Sequence, residues 1–206
     1  MNDRKRPAWA ERSDLERNYY DTEWGMPVVS EKGIFERMSL EVFQSGLSWT
    51  TILKRRPGMR EAFSNFDVDT VAAFDASDIG RLLEDERIIR NRRKVISIIA
   101  NAQATVELRN DPTLASRGRL ESGLPALVWS YRPSNHPTYD EINIPAQIPE
   151  STTLAKDLKS RGFLHVGPVT MYALMQAVGI VNDHPKGSWR RPIVAQAVEE
   201  VLTQGS

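Results

Sequence analysis

The stretch SRGFLHVGPVTMYALMQAVGIV, residues 160–181, decides the fold. Gly162 closes one apolar-periodic segment, and Gly167 followed by Pro168 opens another. Glycine readily ends a helix, and proline is tolerated in a first turn because its missing N–H has no helical partner there. The spacing predicts two helices, TLAKDLKSRGF and VTMYALMQAVGIV, joined by a tight turn over 162–168. In such a helix-hairpin-helix the glycines admit another backbone, and the N–H groups at the second helix start suit a phosphate. A plain helix–helix corner uses the same punctuation, and the stretch by itself leaves both readings open.

Outward from the hairpin, helical periodicity dominates. Ser30 is a natural N-cap, with Ile34, Phe35, Met38, Val42 and Ser45 on one face of the helix that follows. At about 100° per residue, Glu41 falls beside Ile34 and Met38, at the edge of the apolar stripe. Its bland reading is a carboxylate paired with Arg37. Ser77 is positioned to cap a short helix through Ile79, Leu82 and Leu83; Ile88, Val95, Ile96, Ile99, Ala102 and Val106 predict a long helix. Residues 124–131, after Gly123, predict another, and Val194, Ala197, Val198 and Val201 mark a last one over 192–202. No two-residue hairpin joins alternating strands. The proline-rich stretch 132–152 reads as a surface connection and the best internal boundary.

With 206 residues and 40% hydrophobic composition, the chain has enough material for one large core. It has no cysteine, which excludes disulfides and thiolate metal sites, and no apolar run nears the roughly 18 residues of a membrane span. The expected compartment is the cytoplasm. Lys+Arg and Asp+Glu both number 27, so net charge offers no general attraction to nucleic acid. Basic residues nevertheless cluster at 4–6, 54–60, 90–94 and 188–191, a pattern compatible with a one-sided basic surface.

Taken together, DTEWGMP, FERMSLEVFQSGLSWTTILKRR, IIRNRRK, LVWSY and SRGFLHVGPVTMYALMQAVGIVNDH resemble the bacterial 3-methyladenine DNA glycosylase I family, of the helix-hairpin-helix glycosylase superfamily. The resemblance runs in order from about residue 6 to about 189. It implies an all-α, bilobal helical bundle, one domain over 1–206, with the nucleotide pocket between lobes. The hairpin motif would occupy 153–181, and segments ~1–30 and ~180–206 would pack together. It further implies removal of 3-methyladenine from double-stranded alkylated DNA by a monofunctional monomer, without a cofactor or membrane partner, releasing free 3-methyladenine and leaving an abasic site.

By matching motif, Glu41 resembles the catalytic-site carboxylate that reads the base edge, while Tyr19, Trp49 and Trp9 resemble the rings that stack on or line the base. Gly46 and Leu47 resemble the turn that intrudes into the duplex; Gly162, Val166, Gly167, Val169 and Thr170 resemble the phosphate-binding hairpin. A base methylated at the 3-position is cationic, so aromatic faces and a carboxylate favour it, and the same charge makes it a good leaving group. Without the resemblance, Tyr19 and Trp49 read as core aromatics. An alternative of another class is a damaged-DNA-binding protein that kept the fold without catalysis.

One family feature is missing. Many members hold a structural zinc with two cysteines and two histidines, and by register those positions are Pro7, Tyr20, His184 and Ser188. One histidine cannot form a closed tetrahedral site, so no metal is expected. Tyr20 is expected to bond His184 or Asp183 instead, and His136 and His165 to be surface or hairpin residues.

Overall fold

In the computed structural model, residues 4–140 and 143–203 are described. Among them the chain forms ten α-helices, three short 3-10 turns and no strand beyond one isolated bridge, Arg117 to Leu120. Helix α1 is Asp14–Thr22, α2 Glu31–Gln44, α3 Trp49–Ala62, α4 Val68–Ala72 and α5 Ala76–Glu84. Helix α6 is Arg92–Leu108, α7 Leu124–Ser130, α8 Pro149–Ser160, α9 Pro168–Ala177 and α10 Arg190–Thr203.

Helix α2 is the axis of the core. Ser30 caps it by accepting from the Gly33 N–H. Ile34, Phe35, Met38, Leu40, Val42 and Phe43 are all fully buried, because α3, α6, α7 and α9 pack around α2. A helix enclosed on every side has no single apolar stripe, so Glu41 lies inside the core rather than at an edge, and Ser45, expected on the buried face, is the exposed C-cap. Helix α6 departs from its predicted stripe for a similar reason. It packs against α4 and α5 as well as α2, so Ile98, Asn101 and Thr105 are buried, whereas Ile96 points outward and Ile88 precedes the helix.

Three local predictions need correction. Helix α5 is capped by Asp75, whose carboxylate accepts from the Ser77 and Asp78 N–H groups while Asp78 reaches back to the Asp75 N–H; Ser77 lies inside the helix. Residues 132–152 are more than a surface connection. His136 Nε2 lies 2.6 Å from Asp183 Oδ1, and Ile148 is buried at the start of α8. The hairpin helices span 149–177 instead of 153–181, since Pro149 occupies a first turn.

The segment from Tyr20 to Gly25 meets the segment from Ala177 to Ser188 across a close backbone junction. The Gly25 N–H donates to Ala177 O at 3.2 Å, and a Cβ on Gly25 would lie 2.5 Å from His184 Cε1. With φ at +78° as well, only glycine fits there. Tyr20 and Ser188 share a 2.6 Å hydroxyl–hydroxyl bond, so Tyr20 bonds neither His184 nor Asp183, although its ring packs 5.2 Å from the His184 ring. These donors do not fit a zinc ion: Tyr20 and Ser188 take up each other's hydroxyls, Pro7 has no donor atom, and one neutral imidazole nitrogen, His184 Nε2, is left.

Candidate functional site

A cavity of about 330 Å³ opens between the N-terminal segment, α2, the start of α3 and α9. Four aromatic rings line it: Trp9, Tyr19, Trp24 and Trp49. They pack edge-on or tilted, with centroids 5.2 Å apart for Tyr19–Trp49 and 5.4 Å for Trp9–Trp24, so faces and edges both remain available to a flat guest. Local structure explains how they converge. Ser48 caps α3 by accepting from the Thr51 N–H, which places Trp49 in the first turn; Ser13 caps α1, which carries Tyr19 inward. The resemblance named Trp9, Tyr19 and Trp49, and all three lie on this cavity.

Glu41 forms part of the same wall and is 6% exposed. Its expected partner is engaged elsewhere, for Arg37 Nη2 donates to Glu23 Oε2 at 2.6 Å, and Arg56 bridges Glu23 and Glu36. Among the described residues no hydrogen bond or ion pair reaches the Glu41 carboxylate, which overturns the bland reading. Burial, only partly offset by the Arg37 charge, pushes its carboxyl up to about 8. The Tyr19 hydroxyl and Trp49 Nε1 are likewise buried without partners. A buried polar atom without a partner costs about 1–3 kcal/mol, and three such side chains, Glu41, Tyr19 and Trp49, belong to residues that line this one cavity.

Sequence reasoning missed Trp24, Glu16, Gln44, Gln176 and Asp183, which also line the cavity. Ser13 and Glu16 have capping-box spacing, yet the carboxylate does not close the box. Ser13 Oγ donates to Glu16 Oε2 at 2.9 Å, and Glu16 is buried against the cavity. Asp183 accepts from Tyr172 Oη at 2.6 Å and Gln176 Nε2 at 2.7 Å, besides its bond with His136. A carboxylate can only accept, so the Gln176 amide turns its NH2 toward Asp183 and its oxygen away.

Beside the cavity, Gln44 closes the turn that holds Gly46 and Leu47. Its side-chain amide donates to Leu47 O at 3.1 Å, and its carbonyl accepts from the Leu47 N–H. Gly46 has φ +83°, and Leu47 projects, 36% exposed. In the hairpin, Gly162 takes φ +90°, Val166 is buried, and Gly167 N-caps α9 without any side-chain cap. A Cβ on Gly167 would meet nothing within 4 Å, so the space over the Val169 and Thr170 end of α9 is open. The basic clusters do not form one free face. Arg6 is bound by Asp21, Arg56 and Arg60 by Glu36, Arg191 by the carbonyls of Asn182 and His184, and Lys94 is buried.

The sequence profile of the family described as methyladenine glycosylase matches residues 9–191. DNA-3-methyladenine glycosylase 1 of Escherichia coli K12 is 40% identical over 190 residues, covering 89% of this chain and 95% of that protein. DNA-3-methyladenine glycosylase of Haemophilus influenzae Rd is 34% identical over 182 residues, covering 87% and 94%. A crystal structure of 3-methyladenine DNA glycosylase I matches with TM-score 0.82 at 38% identity, over 91% of this chain and all of that one. The Staphylococcus aureus enzyme, solved to explain its recognition of 3-methyladenine, matches with TM-score 0.81 at 30% identity, over 90% and 95%. On this evidence the chain belongs to the methyladenine glycosylase family.

Proposed function

We propose that the aromatic cavity receives 3-methyladenine rotated out of alkylated duplex DNA, and that Glu41 reads it. The activity follows from family membership: a DNA-3-methyladenine glycosylase hydrolyses the N-glycosidic bond and leaves an abasic site. The observation that carries the assignment of residues is the unpaired, buried Glu41 on a cavity walled by four aromatic rings. A base inside a duplex is out of reach, so it must be flipped at a cost of a few kcal/mol and held by stacking and edge hydrogen bonds. Tyr19, Trp9 and Trp49 supply the stacking surfaces, and a cationic base gains cation–π attraction from them.

Burial keeps the Glu41 carboxyl protonated up to about pH 8. A cationic base reverses that preference, since its charge stabilises the carboxylate, so binding releases a proton and discriminates against neutral adenine. Because the base is already a good leaving group, Glu41 acts in recognition more than in proton donation. Leu47 enters the space the base vacates, with Gly46 allowing the turn, and the hairpin from Gly162 through Val166 and Gly167 to Val169 and Thr170 holds the backbone phosphates. The same reading makes the protein a cytoplasmic monomer on duplex DNA.

Incubation with alkylated duplex DNA is expected to release 3-methyladenine, with Glu41→Ala and Trp49→Ala reducing release. Absence of release by folded wild-type protein overturns the proposal, and salt-sensitive DNA binding without release would make the protein a binder only.

A further inference from the structure

Helix α6 carries a buried polar stripe that the base cavity does not use. Lys94, Ser97 and Asn101 follow at i, i+3 and i+7, which puts them on one helix face. Their side chains reach two elements, the end of α2 and the hairpin. Lys94 Nζ donates to Phe43 O at 2.7 Å and to Ser45 O at 2.6 Å, at the end of α2 immediately before Gly46 and Leu47. Asn101 grips the hairpin in both directions: Nδ2 donates to Leu164 O at 3.1 Å, and Oδ1 accepts from the Leu164 N–H at 2.7 Å.

Ser97 holds the next hairpin residue. Its hydroxyl donates to Arg93 O at 2.7 Å, which takes its one hydrogen, so at 2.6 Å the His165 Nδ1–H is the donor to Ser97 Oγ. His165 sits at φ +58°, a left-handed conformation that costs a non-glycine residue and persists only where its surroundings fix it. A groove of about 690 Å³ reaches the stripe at Ser97, and Ser45, His165, Gly167 and Thr170 also line it.

We propose that the Lys94–Ser97–Asn101 face of α6 is a rigid spacer that sets the distance between the intruding turn at Gly46–Leu47 and the phosphate-binding hairpin. The inference rests on the functional reading above. A buried ammonium costs desolvation that an apolar side chain of similar length avoids, so the charge at Lys94 is kept for what its two bonds hold in place. An intruding leucine must enter the stack in register with the phosphates that the hairpin grips, and an error of about 1 Å costs on the order of a hundredfold in rate. The turn and the hairpin are tied to the same helix face in series. Releasing either end loses the separation.

Lys94, Ser97 and Asn101 are therefore positioning residues, and their effect should appear on duplex DNA but not on the free base. The test compares wild type, Lys94→Met, Ser97→Ala and the double variant. Thermal melting checks folding, tryptophan fluorescence gives Kd for free 3-methyladenine, and excision from alkylated duplex gives kcat/KM. Each single variant is expected to lose about tenfold in kcat/KM while Kd stays within about twofold. The double variant should fall no more than about threefold below the worse single one, because the ties are coupled. Ser97→Ala deletes a single oxygen and carries the test if Lys94→Met fails to fold. Unchanged kcat/KM, a parallel loss of free-base affinity, or a double variant equal to the product of the singles would overturn the spacer. Wild-type protein that neither binds nor excises the base would instead overturn the functional reading.

Discussion

Two of the three buried carboxylates that line the cavity stand in opposite states. Burial alone would raise Asp183, but hydrogen bonds from His136, Tyr172 and Gln176 outweigh it and hold its carboxyl below the usual range. Glu41 has no such donors, and burial leaves its carboxyl at about 8. The difference separates a carboxylate closed by three donors from one without any, the group we assign to the base. Satisfied polar networks fix geometry, whereas an unsatisfied buried acid costs stability that only a ligand restores.

The comparison breaks most visibly under truncation. Asp183→Ala leaves Tyr172, Gln176 and His136 without their acceptor, with an expected cost of about 3–5 kcal/mol. For a chain of this size that is about 10 °C in Tm by calorimetry. A Tm change under about 2 °C would mean that Asp183 does not hold this wall. Glu41→Gln should behave in the reverse way, cutting kcat/KM for 3-methyladenine release by about a hundredfold or more while melting no lower than wild type.

The two acids also give stability slopes of opposite sign. Folded Glu41 keeps its proton up to about pH 8, whereas in the unfolded chain it ionises near 4.5. The folded state therefore binds more protons across that window, and the stability this group contributes declines as pH rises through it. At 1.36 kcal/mol per pKa unit the full difference amounts to a few kcal/mol. Wild type and Glu41→Gln should thus melt together near pH 4 and diverge by pH 8, with the variant higher. Asp183 acts the other way: its contribution is complete above its unfolded value of 3.8 and is lost as pH falls below it. Since kcat/KM reports the free enzyme, excision should rise with pH, pass its half-maximum near 8 and level off above that, and a flat profile from 6 to 9 would contradict an ionised Glu41 as the reader of the base.

Features written in local chemistry were legible in the sequence. Ser30 as a cap, Gly123 before α7, and the Gly162 and Gly167–Pro168 punctuation each act on their own neighbours, so the all-helical fold and its hairpin could be read directly. The cavity was legible only through the resemblance, and incompletely. Trp24, Gln176 and Asp183 reach it from separate segments, and nothing local marks them. Misleading context hid others. Lys94 stands in a basic run that suggests a solvated surface, and Glu16 stands where a capping box would put it. The one available signal was density: three of the five tryptophans, with Tyr19 and Tyr20, fall within the first 49 residues, more ring surface than α1 could bury by itself.

Glu16 sharpens the comparison with the smallest expected effect. It stands between the two acids in kind, for Ser13 holds Oε2 while the side chain packs against the cavity. As a second negative group beside a cationic guest it should add attraction, but its bond to Ser13 limits how far it can turn toward the base. Glu16→Gln is therefore expected to lower kcat/KM for 3-methyladenine about three- to tenfold at about pH 9, above the Glu41 value of about 8, where Glu41 is largely ionised. Stability should shift by less than about 1 kcal/mol, since the Ser13 cap on the Glu16 N–H survives. A loss as large as that of Glu41→Gln would move the reading of the base from α2 to α1. No loss would leave Glu16 as part of the helix cap, and Glu41 as the one carboxylate on this cavity that answers to the guest's charge.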